Sequence, residues 1–253
     1  EQLKSLNVKY CIVGHSERRQ ELNESSDDTN KKILVSYYDD SNRLHVYRNI
    51  ASSCFNILDS DEDLELEIKN GLQIDKNFVG KKLKNYDSML VISHFKGHPM
   101  GGFGGAIKQL SIGVASTAGK CYIHSAGKVV DQKILWQNTA PQDAFLEAMA
   151  DAAKSVVDYF KGNIAYVNIM CNMSVDCDCC SVAEDPCMKD IGILASLDPV
   201  ALDQACIDLI YNSTDPGRDT LVERIESRNG LLILESAEKQ QIGSREYELI
   251  KID

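Results

Sequence analysis

The 253-residue sequence predicts an α/β fold, a mostly parallel sheet with flanking helices. The stretch 142–161 (QDAFLEAMADAAKSVVDYFK) places Phe145, Met149, Ala152, Ala153, Val156 and Phe160 on one stripe at three- and four-residue spacing. After Gly162, a natural helix stop, the apolar run Ile164–Met170 follows at once, which is the βαβ rhythm of a parallel sheet. Further apolar runs at 88–92 (SMLVI) and 191–195 (IGILA) have the length of buried strands. The chain is long enough to bury a full core, as one large domain or two small ones.

Taken in order, a short helix ends near Leu6, a strand covers 10–13, and a polar turn follows at Gly14-His15-Ser16. Residues 33–38 and 44–47 read as a hairpin around 39–42. In 59–70 (DSDEDLELEIKN) six acids surround Leu64, Leu66 and Ile68, the alternation of a half-exposed strand, and Asn70-Gly71 is a turn. The strand at 88–92 opens into His94-Phe95-Lys96-Gly97-His98-Pro99 and then Gly101-Gly102-Phe103-Gly104-Gly105, before a helix-like segment at 106–110. Residues 119–128 read as a small-residue, basic loop. Asp198 is a helix N-cap with Pro199 at the first turn. Asp215-Pro216-Gly217 is a turn, 218–229 is a helix ended by Gly230, and 235–241 is a last helix. The alternating stretch 247–252 closes the chain as a strand.

Composition narrows the function. A net charge of −11 disfavours nucleic acid and anionic membranes, both of which need a basic footprint. No apolar run reaches the ~18–20 residues of a membrane-spanning helix, and no secretory signal is visible, so the expected location is the cytoplasm. In that compartment nine cysteines are thiols or metal ligands rather than a disulfide framework.

Two stretches carry candidate chemistry. Strand, glycine-rich turn and helix start can arrange backbone N–H groups around an anion, and Lys96, Lys108, Lys120 and Lys128 surround this one in an acidic chain. His94, Lys96, His98, Gly101, Gly102, Gly104, Gly105 and Lys108 are therefore candidate ligand-binding residues for an anionic small molecule. The pattern is neither G-x-G-x-x-G nor a P-loop, and Gly97 and Pro99 argue against a helical two-histidine metal face. The second stretch gathers Cys177, Cys179, Cys180 and Cys187 within eleven residues. In an extended segment Cys177 and Cys179 face the same way, so both can bind one metal, and Cys187 can return as a further ligand. Thiolates suit an iron–sulfur cluster, with zinc as the alternative; a reduced, metal-free thiol cluster is the other reading.

The string 8–19 (VKYCIVGHSERR), with Asn23-Glu24 and 30–32 after it, resembles the fourth strand–helix unit of triosephosphate isomerase. That resemblance implies a TIM-barrel-like strand–helix fragment, in which His15 is the neutral electrophile that polarises the substrate carbonyl. It covers about the first 33 residues, and no match is found to that family's lysine, glutamate base or phosphate-gripping loops.

From about residue 55 onward the chain resembles the domain-of-unknown-function family numbered 362, described as uncharacterised iron–sulfur centre proteins. The stretches that carry the likeness are 90–116, 172–179 (NMSVDCDC), 190–206 (DIGILASLDPVALDQAC) and 223–230 (ERIESRNG). The resemblance implies a cytoplasmic α/β protein associated with ferredoxin-type redox partners, with its cysteine motif at Cys177 and Cys179. The expected organisation is an isomerase-like fragment at 1–33, a junction at 34–54 and the iron–sulfur-centre-like domain at 55–253. A joined gene would account for the junction.

Overall fold

The computed structural model describes residues 62–177, 180 and 184–252. The chain divides into two compact units, Glu1–Asp61 and Glu62–Asp253, and the second holds the described residues. The helix ending near Leu6, the strand at 10–13, the hairpin at 33–47 and His15 lie outside the described residues.

The second unit opens with an antiparallel hairpin, β1 (Asp63–Glu67) against β2 (Lys76–Gly80). The alternation of the acidic stretch is used as read: Leu66 and Ile68 are buried while the acids between them face water. The connecting loop is closed from a distance. The Asp151 carboxylate accepts the backbone N–H groups of Leu72, Gln73 and Ile74 and the side-chain amide of Gln240.

The central sheet has the order β3 (Met89–His94), β6 (Ile164–Met170), β7 (Gly192–Ser196). β3 and β6 are parallel, but β6 and β7 are antiparallel, so the sheet is mixed rather than mostly parallel. The connection explains the difference. A parallel neighbour needs a crossover, usually helical, whereas residues 171–191 turn back with no helix among those described.

Between β3 and β6 lie a short hairpin of β4 (Lys96–His98) and β5 (Gly102–Gly104), then α1 (Ala106–Lys108), which runs into a π-helical turn at Gln109–Gly113. The predicted basic loop at 119–128 is instead helix α2 (Thr117–His124) followed by a turn. Ser116 caps it by accepting the Gly119 N–H, and glycine is required there because a Cβ would stand 2.1 Å from the Phe78 carbonyl oxygen. α3 (Gln132–Leu135) leads to α4 (Gln142–Phe160), which ends through left-handed Lys161 (φ 53°) and Gly162 (φ 78°).

After β7 come α5 (Pro199–Tyr211), α6 (Arg218–Ser227) and α7 (Leu232–Lys239). Asp198 caps α5 as expected, accepting from Val200 and Ala201. The stretch 247–252 forms no strand; Leu249, Ile250 and Ile252 are exposed, and alternation alone makes a strand only where a sheet edge receives it.

One face of the sheet packs on helices. Val91 and Ser93 of β3 and Tyr166, Asn168 and Met170 of β6 are buried there, with α1, the π turn and α5 over them and α4 behind. The opposite face keeps Leu90 and Ile193 61% and 66% exposed. Among the described residues no helix is long and apolar enough to cross a membrane.

Candidate functional site

The glycine-rich stretch is a hairpin held from three sides rather than an open loop. Phe95 and Phe103 stack beneath it at 5.5 Å and are buried. At its turn, the Pro99 carbonyl accepts from Arg228 Nε at 2.6 Å, and the Met100 carbonyl accepts from Gln142 Nε2 at 2.7 Å. Gly102 has φ +81°, and a Cβ there would meet the Gly230 backbone at 2.8 Å. The close approaches that require glycine are thus between chain segments. At Gly105 a Cβ would lie 2.4 Å from the Asp203 carboxylate.

Asp203 anchors the helix that follows. It is fully buried on α5, accepts the N–H groups of Ala106 and Ile107 at 2.8 and 2.9 Å, and takes a third bond from Asn168 Nδ2 at 2.7 Å. Burial raises its pKa to about 6 against the pull of those three donors. Ser93 and Asn168 are register partners on β3 and β6, and Ser93 Oγ and Asn168 Oδ1 are buried without a hydrogen-bond partner among the described residues.

The hairpin and the cysteine loop are clamped together. Gly97 donates its N–H to the Ser174 carbonyl at 2.8 Å, and the Val175 backbone lies so near that a Cβ on Gly97 would be 2.4 Å from its oxygen. His94 is bonded to the Cys171 carbonyl at 2.8 Å. From α6, Arg224 donates to the Val175 carbonyl at 2.7 Å and pairs with Asp176 at 3.1 Å. Asp190 holds the Asn172 N–H at 2.7 Å.

Within this clamp His98 meets Cys177. Both side chains are buried, and they are hydrogen-bonded to each other. His98 Nδ1 accepts the Met100 and Gly101 N–H groups at 3.2 and 2.9 Å, which leaves Nε2 for the thiol. Burial is the main cause that lowers the His98 pKa; the Cys177 bond opposes it, and the Lys108 and Lys96 ammonium groups add to it. His98 is therefore the neutral imidazole at pH 7, with its N–H directed at sulfur. Lys96 and Lys108 are themselves buried, 8% and 9% exposed, and Lys96 Nζ donates to the His94 carbonyl at 3.1 Å.

The predicted residues divide accordingly. His98, Lys96, Lys108 and Cys177 come together, and His94 and the glycines frame them. Cys180 and Cys187 are half-buried on the same loop; the Cys187 thiol faces the Met173 carbonyl at 3.4 Å. Cys179 lies outside the described residues. Among the described residues no group of three or more His, Cys, Asp or Glu side chains is gathered for a metal. Sequence reasoning missed Asp203, Asn168, Arg224 and Arg228 as site-building residues. The available signal was confined to Asn168 and Asp203, polar side chains set inside the apolar runs 164–170 and 199–207, where they have no reason to sit unless they are paired.

These elements define an α/β protein with a mixed sheet and a thiol–imidazole centre beneath a glycine hairpin. The chain belongs to the family described as Domain of unknown function (DUF362), whose model matches residues 42–208. A second match, to Triosephosphate isomerase, covers residues 1–40. The triosephosphate isomerase of Mycoplasmoides pirum is 59% identical over 32 residues, which are 13% of this chain and 21% of that protein. The chain thus spans about a fifth of that relative's length. No solved structure matches it.

Proposed function

We propose that the chain is a cytoplasmic metal-binding protein of redox or iron–sulfur chemistry, with Cys177, Cys179, Cys180 and Cys187 as thiolate ligands and zinc as the alternative occupant. The carrying observation is the enclosure of Cys177 against His98, with the glycine hairpin and α6 both bonded to the loop that bears it. Thiolates are soft donors suited to zinc or an iron–sulfur centre. A bound cluster would supply one-electron transfer, and a ferredoxin-type protein is the matching partner. His98 would orient the Cys177 sulfur, and Lys96 and Lys108 would offset the negative charge of the thiolates.

The test is iron, zinc and acid-labile sulfide content of anaerobically purified protein beside the Cys177→Ser/Cys179→Ser double variant. Iron with sulfide in the parent protein and its loss in the variant is the expected result. Absence of both metals from the parent protein sinks the reading.

A second reading is an anionic small-molecule site, favoured by two buried lysines acting on one histidine. Calorimetric titration with inorganic phosphate should then show binding that weakens about tenfold or more in Lys108→Met, the loss of one charge-assisted bond. An isomerase reading rests on residues 1–40 alone, far short of the eight strand–helix units a TIM barrel closes with. A coupled glyceraldehyde-phosphate assay is expected to give no turnover above a His15→Ala variant.

A further inference from the structure

Cys177 and Cys180 close a tight turn, the Cys180 N–H donating to the Cys177 carbonyl at 3.0 Å. A four-residue turn bonded this way holds its end Cα atoms within about 7 Å, and disulfides bridge Cα separations up to ~6.8 Å. The two thiols differ in access: Cys177 is 2% exposed against the His98 ring, whereas Cys180 is half-buried. Neither is in a disulfide in this structure. The C-x-x-C spacing, the bonded turn and the buried–accessible asymmetry together form a dithiol arrangement.

We propose that Cys177 and Cys180 are a redox-active pair that forms a reversible disulfide by exchange with a low-molecular-weight disulfide such as glutathione disulfide. The accessible Cys180 thiolate attacks one sulfur of the oxidant, forming a mixed disulfide and releasing one glutathione thiolate, which takes up the proton that Cys180 gave up. Cys177 sulfur then attacks the Cys180 sulfur; the mixed disulfide breaks, and the second glutathione leaves with the proton from Cys177. Two protein thiols are oxidised by two electrons, and one glutathione disulfide becomes two glutathiones. His98 is a positioning residue that holds the Cys177 sulfur at the end of the turn. The pair needs no bound metal, so the proposal stands apart from the metal reading.

The full chain is equilibrated without oxygen in glutathione buffers of graded ratio, with and without a chelator, then trapped by alkylation, and its cysteine peptide is fragmented in a mass spectrometer. The expected result is a Cys177–Cys180 link that removes about two thiols per chain, appears along a single redox midpoint and is reversed by excess glutathione. Cys179→Ser and Cys187→Ser should keep the link, while Cys177→Ser and Cys180→Ser each abolish it. His98→Asn, which retains a hydrogen-bonding side chain, should shift the midpoint with the link still in place. Chelator-treated protein that keeps both thiols reduced in the most oxidising buffer, or that links Cys179 as readily as Cys180, overturns the proposal. A link seen only with chelator means that a metal and the disulfide compete for the same thiols, which upholds both readings.

Discussion

Asp203 concentrates several functions in one carboxyl group. It caps α1 through Ala106 and Ile107, orients Asn168, and fills the space that a side chain at Gly105 would need. Its pKa, pushed up to about 6 by burial, fixes the sign of its pH effect. Between the ordinary carboxyl value and about 6, the native state keeps a proton that the unfolded chain releases. Its stability contribution is therefore full at low pH and falls as the pH rises through about 6. The rise from the ordinary carboxyl value to about 6 bounds the change at roughly 3 kcal/mol. Urea midpoints near pH ~4.5 and ~7.5 should show this slope in the parent protein and a flatter one in Asp203→Asn. An equal slope in both would assign the pH dependence to other groups.

At the scale of elements, the hairpin β4–β5 and the cysteine loop stand or fall together. Gly97→Ala would force a methyl group into the Val175 backbone, where the nearest atoms are 2.4 and 2.6 Å away. Backbone cannot rotate aside as a side chain can, so destabilisation of about 1–3 kcal/mol is expected. The same change should speed alkylation of Cys177, because the loop that buries it lifts from the strand. A midpoint shift with no gain in Cys177 reactivity would separate the hairpin from the loop.

The elements also show what the sequence made legible. The stripe from Phe145 to Phe160, the β6 run and the Asp198-Pro199 start are local patterns, and each appears where periodicity or capping places it. Residues 119–128 misled because Gly119 and Gly127 look like loop residues. Only the packing of α2 on Phe78 shows that Gly119 is a contact glycine inside a helix. The antiparallel β7 was equally hidden, since an apolar run has the same composition in either direction. Of the site, residue types and neighbourhood were legible in His98, Lys96, Lys108 and Cys177. The cross-braces Arg224, Arg228 and Asp203 were not, because partners 49 to 129 residues away leave no local pattern.

For the whole molecule, the sheet has two unlike faces. Leu90 and Ile193 stand out on the side away from α5, where a parallel pair is ordinarily covered. Substituting Ile193→Lys should leave the unfolding free energy from urea titration within about 0.5 kcal/mol of the parent and raise solubility. A loss of several kcal/mol would mean that this face is part of the packed core.

The bracing of the hairpin also sets a timetable. Asp203 follows Ala106 by 97 residues, so a ribosome adding ~5–20 residues per second delivers the brace about 5–20 s after the element it fixes. Cys177 emerges inside that interval. The newborn chain therefore presents its thiols to the surrounding solution before the cage around them can shut, and whatever they meet then, ion or oxidant, is met in the open.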